Sequence, residues 1–316
     1  MHAVTTKAES TALRTLLRSV GQIVLQPNAF TGACIIAALL LAEPRLACAA
    51  LIGAIAANVS AMLTGYRDVN TRTAHARDAD TRDGLHGFNG ALAGLAAFHF
   101  IADDATAAAV AILSATLTVW FLDPWSRRLR ANGLSVFSSP YLIATWLWLP
   151  LLTTASAASS AAGVAAQPFE WMQWVNGVLG GFGQIFFVPG ALPGLLVLIG
   201  IAGASRQSAL WAFAGTALGC AGHVLLGASA SSLDAGLLGF NGALTAIALA
   251  DCGAVATLAG VGVSIVLQTG ASYLGWPAMT APFVLASWSV QWVRHRAASS
   301  RADAANANRP PLRGIG

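Results

Sequence analysis

Apolar residues come in blocks along the chain, divided by short polar stretches. The blocks lie at about 30–42, 46–64, 85–101, 106–122 and 134–154, then at 190–203, 208–227, 236–250, 254–270 and 276–293. A hydrocarbon core about 30 Å thick takes roughly 20 residues of helix, so the pattern predicts a chain of membrane-crossing helices. Two shorter runs open the two series, Val20–Leu25 and about 178–188, and each carries a glutamine, Gln22 and Gln184. They are too short to cross and are expected to be re-entrant. The polar, cationic start through Arg18 and the brevity of the run before Pro27 give no sign of a cleavable signal.

The second series repeats the first. Gly21-Gln22-Ile23-Val24-Leu25 matches Gly183-Gln184-Ile185-Phe186-Phe187 at an offset of 162 residues. The hexapeptide Gly-Phe-Asn-Gly-Ala-Leu stands at Gly87–Leu92 and again at Gly239–Leu244, an offset of 152. Leu134–Tyr141 then matches Trp276–Phe283 at 142. The landmarks keep their order, and the shrinking offset places shortened loops where the first half has its 65–83 and 123–133 loops. The expected architecture is an all-α integral membrane protein of two inverted repeats, each of five transmembrane helices plus one re-entrant half-helix. Its divisions are a cytoplasmic N-terminal segment (1–19), membrane repeat 1 (20–154), an extracytoplasmic linker (155–172), membrane repeat 2 (173–293) and a cytoplasmic tail (294–316).

Composition agrees: 56% of residues are hydrophobic and 9% charged, against roughly a quarter charged in soluble domains. The acidic residues sit between apolar runs or at their ends, and none reads as a mid-bilayer carboxylate. Ion-coupled carriers keep ionisable groups inside the bilayer to carry the coupling, so this pattern points to passive passage of an uncharged solute. With the N-terminus in the cytoplasm, an odd number of crossings per half puts all but Arg45 of the 17 basic residues on the cytoplasmic side, as the positive-inside rule asks. The pI near 9.2 comes from loop and tail arginines suited to lipid headgroups, not from a basic face for nucleic acid. Cys34, Cys48, Cys220 and Cys252 lack metal spacing and read as packing residues. His86, His99 and His223 are read as structural or interfacial, and no metal or cofactor is expected. Ser138 and Thr280 have no evident base in the membrane segments, so an intramembrane enzyme is disfavoured.

The candidate chemistry lies in symmetric polar pairs: Gln22 with Gln184, Asn89 with Asn241, Ser138 with Thr280. Such groups, with carbonyls freed at helix breaks, make a ladder of hydrogen-bond acceptors. Phe88 with Leu92 and Phe240 with Leu244 add apolar faces at helical spacing. Acceptors opposite flat apolar faces suit a small, planar, donor-rich molecule, and urea has that shape. The asparagines have a second reading, as braces of broken helices that never touch solute.

The glutamine-bearing short helices, the duplicated hexapeptide and Trp276-Pro277-Ala278-Met279-Thr280-Ala281-Pro282-Phe283 resemble the urea transporter family, whose signature reads LPxxTxPF. The resemblance runs from about Gly21 to Trp288. It implies channel-like, passive urea transport through a pore in each protomer of a homotrimer in the bacterial inner membrane, with both termini cytoplasmic. Carried over by motif, the pore positions are Gln22, Ile23, Leu25, Phe88, Leu92, Ser138, Gln184, Ile185, Phe187, Phe240, Leu244 and Thr280. Other small neutral solutes, namely short amides, ammonia and water, are the alternative cargo. The first-half signature departs from the pattern: Ser135 stands where proline is expected, Ser138 for threonine and Tyr141 for phenylalanine.

Overall fold

The computed structural model describes residues 2–65, 86–152 and 170–307. The expected 65–83 loop, nearly all of the linker and the end of the tail lie outside the described residues. Every regular element among the described residues is helical.

The first half runs α1 (His2–Gly21), a 3-10 turn (Gln22–Val24), α2 (Ala29–Ala42), α3 (Pro44–Gly65), α4 (Gly87–Phe100), α5 (Asp104–Ala131) and α6 (Ser139–Leu152). The second runs α7 (Trp171–Gln184), α8 (Ala191–Ala204), α9 (Arg206–Leu225), the short α10 (Ala230–Asp234), α11 (Phe240–Leu249) with a 3-10 extension (Ala250–Cys252), α12 (Ala254–Tyr273) and α13 (Ala281–Ala307). Helices α3, α5, α9 and α12 are long and apolar enough to cross a membrane. Segment Ala12–Val24 and α2 are bent by 79° against each other. The helices of the two signature regions are shorter than their apolar runs, or shifted along them.

Both short segments break the same way. Leu25 (φ 59°) and Phe187 (φ 62°) adopt the left-handed conformation, which costs a residue other than glycine roughly 1–2 kcal/mol. Four residues earlier stand Gly21 and Gly183, where the returning chain crosses its own helix. A Cβ on Gly21 would run into the carbonyl oxygens of Gln26 and Asn28, and one on Gly183 into that of Val188. Asn28 then starts α2 by accepting from the Phe30 amide at 2.8 Å, an N-cap that frees the chain to turn.

Helix starts differ from the apolar runs for a local reason. The runs at 134–154 and 276–293 begin as helix only at Ser139 and Ala281, because Phe137 (φ 47°) and Met279 (φ 48°) are left-handed. Pro140 and Pro282 fall in the first turn, where a missing N–H costs nothing. Helix α7 begins at Trp171, inside the expected linker, with the Glu170 amide donating to Gln173 Oε1 at 3.0 Å. Helix α13 continues to Ala307, past the expected end of the second repeat.

The two copies of the hexapeptide open the two most enclosed helices. Every residue of α4 from Gly87 to Phe98 is buried, as are Asn241–Ile247 of α11. Helix α4 packs on α3, α5 and α6, while α11 packs on α9, α12 and α13. The central helices α2 and α8 pack together across the halves, where Thr31 Oγ1 donates to Gly200 O at 2.8 Å. On the outer helices, large apolar side chains such as Met62, Leu113, Trp120, Leu210 and Val266 are exposed, a surface made for lipid tails rather than water.

Candidate functional site

Eight of the sequence-derived site residues belong to the main apolar core, which draws on both halves. Ile23, Phe88, Leu92, Ile185 and Leu244 are buried in it, and Leu25, Phe187 and Phe240 pack against it partly exposed. Both halves contribute these eight, from the two left-handed breaks and the first turns of α4 and α11. Gln22 Oε1 is enclosed without a hydrogen-bond partner, whereas Gln184 Nε2 donates to Ala235 O at 2.8 Å. That bond fixes the Gln184 amide and leaves its oxygen as acceptor.

Ser138 and Thr280 meet directly, with their hydroxyl oxygens 2.9 Å apart and both residues buried. They arrive there because each follows a left-handed residue and precedes the first turn of a helix. The asparagines hold those turns. Asn89 Oδ1 accepts from the Tyr141 amide at 3.1 Å, and its Nδ2 donates to Phe137 O at 3.4 Å. Asn241 does the same one half later, accepting from the Phe283 amide at 3.1 Å and donating to Met279 O at 3.1 Å. It also donates to Gln268 Oε1 at 2.9 Å. Of the two readings left open by the sequence, the bracing one accounts for these side chains.

Contacts around the Ser138–Thr280 pair come in reciprocal sets. The Phe137 and Phe283 rings meet edge to face at 5.0 Å, and their counterparts Met279 and Tyr141 meet through a Tyr141 O–H···Sδ contact of 3.1 Å. Farther out, Trp288 Nε1 donates to Ser135 O at 2.7 Å and Trp146 Nε1 to Pro277 O at 3.2 Å. At the offset of 142, each contact maps onto its mate with the halves exchanged, as at an interface related by a two-fold axis.

Contacts of two further residues were not legible in the sequence. The exposed His99, read as structural or interfacial, stacks on Phe187 with centroids 4.5 Å apart and planes at 23°, and Phe100 meets the same ring edge-on at 5.9 Å. Nothing in the sequence pairs these residues, since the neighbours come from different halves. Arg45, the exception to the charge pattern, has defined partners. Its guanidinium donates to Phe98 O (2.6 Å), Ile101 O (2.8 Å) and Ala102 O (3.1 Å) and pairs with Asp104 at 2.5 Å. Those carbonyls are the C-terminal end of α4, where a cation is favoured.

Among the described residues, no group of three His, Cys, Asp or Glu side chains could hold a metal ion. No curated protein matches the chain. The family model described as urea transporter matches residues 13–295. The chain therefore belongs to the urea transporter family, a family of multi-pass membrane channels and transporters rather than enzymes, whose activity is passive transport of urea.

Proposed function

We propose that urea crosses this protein passively through a path between two inverted repeats, 20–154 and 173–293, with Ser138 and Thr280 at its midpoint. The observation that carries this reading is the reciprocal set of contacts centred on the Ser138–Thr280 pair. Inverted copies meeting near the bilayer midplane are where transporters place their solute sites. Gln22 and Gln184 offer amide oxygens at the two ends. Phe88 with Leu92, and Phe240 with Leu244, flank the urea plane, while Ile23, Leu25, Ile185 and Phe187 complete the apolar walls.

The chemistry suits urea, which enters with its donors solvated and must exchange water for protein acceptors. Each such hydrogen bond is worth about 1 kcal/mol net, enough in series to offset dehydration without a well too deep to leave. The Ser138 and Thr280 hydroxyls bond to each other through one hydrogen, so lone pairs remain on both for a passing N–H. Flat rings beside the acceptors admit a planar solute and turn away a hydrated ion. By the same reading the protein is a homotrimer in the bacterial inner membrane with both termini in the cytoplasm. That placement puts Arg45 outside, against the end of α4.

Labelled-urea counterflow in proteoliposomes tests the proposal. Flux is expected without any proton or sodium gradient, and strict dependence on either would sink it. Gln184→Ala and Phe240→Ala are each expected to lower flux per protein about tenfold, as the loss of one well-placed contact allows. Normal flux in either variant removes that residue from the path. Competition by acetamide, ammonia or water flux measures how far the cargo extends beyond urea.

A further inference from the structure

The signature of the first half lacks its proline, and the structure shows what stands in its place. Position 135 corresponds to 277, and the two differ in chemistry: Ser135 has an N–H and a free φ, while Pro277 has neither. At Pro277 the ring itself fixes the chain, and among the described residues its side-chain hydrogen bond comes from Trp146, whose Nε1 donates to its carbonyl at 3.2 Å. At Ser135 every polar group is held by one turn of α13. Trp288 Nε1 donates to the carbonyl at 2.7 Å, the Ser135 amide donates to Gln291 Oε1 at 2.9 Å, and Gln291 Nε2 donates to Ser135 Oγ at 3.0 Å. Trp288 and Gln291 are three residues apart, so they share a helix face.

The position matching Gln291 is Leu149. Leu149 lines the same small groove as Pro277, together with Trp146. The arrangement is thus the same in both halves with the polarity exchanged: leucine beside proline in one, glutamine beside serine in the other. Three residues beyond Ser135 lies Ser138, and the left-handed Phe137 lies between them. A shift in φ at 135 would be passed to the Ser138 hydroxyl through that turn.

We propose that Gln291 is a positioning residue for urea transport: its amide clamps Ser135 in the conformation that proline imposes at 277, and so keeps the Ser138 hydroxyl facing Thr280. This rests on the reading of Ser138 as part of the path. Gln291 itself touches no solute, and its effect passes through the backbone at 135–138.

The test is a double-mutant cycle on the full-length protein in proteoliposomes, with urea flux divided by the amount of folded protein and Tm measured alongside. Gln291→Leu is expected to lose about three- to tenfold in flux, the scale of one or two hydrogen bonds. Ser135→Pro alone is expected to lose flux too, because the proline ring meets the Gln291 amide. The pair Ser135→Pro with Gln291→Leu copies the other half and is expected to restore flux to within about twofold of the original. Full flux in Gln291→Leu overturns the inference, and so does a double variant no better than its parents. If Gln291→Leu fails to fold, a folded and conducting double variant supports the inference and an unfolded one overturns it. Ser138→Ala separates the two levels. Unchanged flux there removes Ser138 from the path, whereas a Ser138→Ala defect with a silent Gln291→Leu removes the positioning role alone.

Discussion

Asn89 and Asn241 each spend one amide on two backbone groups, and both backbone groups belong to a turn around a left-handed residue. Removing the amide leaves a buried carbonyl and a buried N–H without partners, at about 1–3 kcal/mol for each. Asn241→Ala is therefore expected to lower stability by about 2 kcal/mol or more and to lower flux, since Thr280 sits inside the turn that relaxes. Asn241→Asp keeps an acceptor for Phe283 but sets a buried carboxylate against the Met279 carbonyl and Gln268 Oε1, so it is expected to destabilise at least as much as alanine. Thermal unfolding in detergent, paired with counterflow, checks both. An alanine variant as stable as the parent would show that water or another group replaces the amide. These roles were half legible in the sequence: duplication singled out the asparagines, but their partners lie about 40 to 50 residues away and no periodicity connects them. A still longer separation hid His99 from Phe187, which lie in different halves and meet only once the chain has folded.

At the scale of elements, the ends of α4 and α11 are treated alike by different arginines. Arg45 caps the last carbonyls of α4, and Arg294 donates to Cys252 O at the end of the 3-10 turn that extends α11. Cys252 corresponds to Phe100 at the offset of the hexapeptides, so each enclosed helix receives a guanidinium at its C-terminal end. A lysine carries the same charge but cannot reach several carbonyls and a carboxylate at once. Arg45→Lys is thus expected to cost about 1–2 kcal/mol of stability, and Arg45→Ala more. An Arg45→Lys protein with unchanged Tm would reduce the contact to simple charge. The order of the described helices follows the apolar blocks, while several boundaries do not. Hydropathy averages over a run and cannot register one left-handed residue, so the segments before Ser139 and Ala281 read as helix although Phe137 and Met279 turn the chain there. Likewise α13 runs on to Ala307, past its apolar run, because helix propensity rather than hydropathy decides where it ends.

For the whole molecule, the charge pattern makes a demand that the reciprocal contacts permit: equivalent residues of the halves should face opposite sides of the membrane. Asp103, just after α4, and Val255, at the start of α12 after α11, are equivalent at the offset of the hexapeptides, and both are exposed. With the N-terminus in the cytoplasm, Asp103 falls outside and Val255 inside. Single cysteines at these positions, in a background with Cys34, Cys48, Cys220 and Cys252 replaced by alanine or serine, make the test direct. A membrane-impermeant maleimide applied to intact spheroplasts is expected to label Asp103→Cys and to spare Val255→Cys until the membrane is opened. Because Asp103 caps α5 through the Thr106 amide at 2.8 Å, that variant gives up a helix cap worth about 1 kcal/mol, which the fold should tolerate at an exposed end. Labelling of both positions from one side would mean parallel copies related by an axis along the membrane normal, which the reciprocal contacts allow and the charge pattern does not. Labelling with the sides reversed would keep the inversion but place the arginine-rich face outside, against the positive-inside rule. Only the outcome with Asp103 outside and Val255 inside satisfies the charge pattern and the reciprocal contacts together.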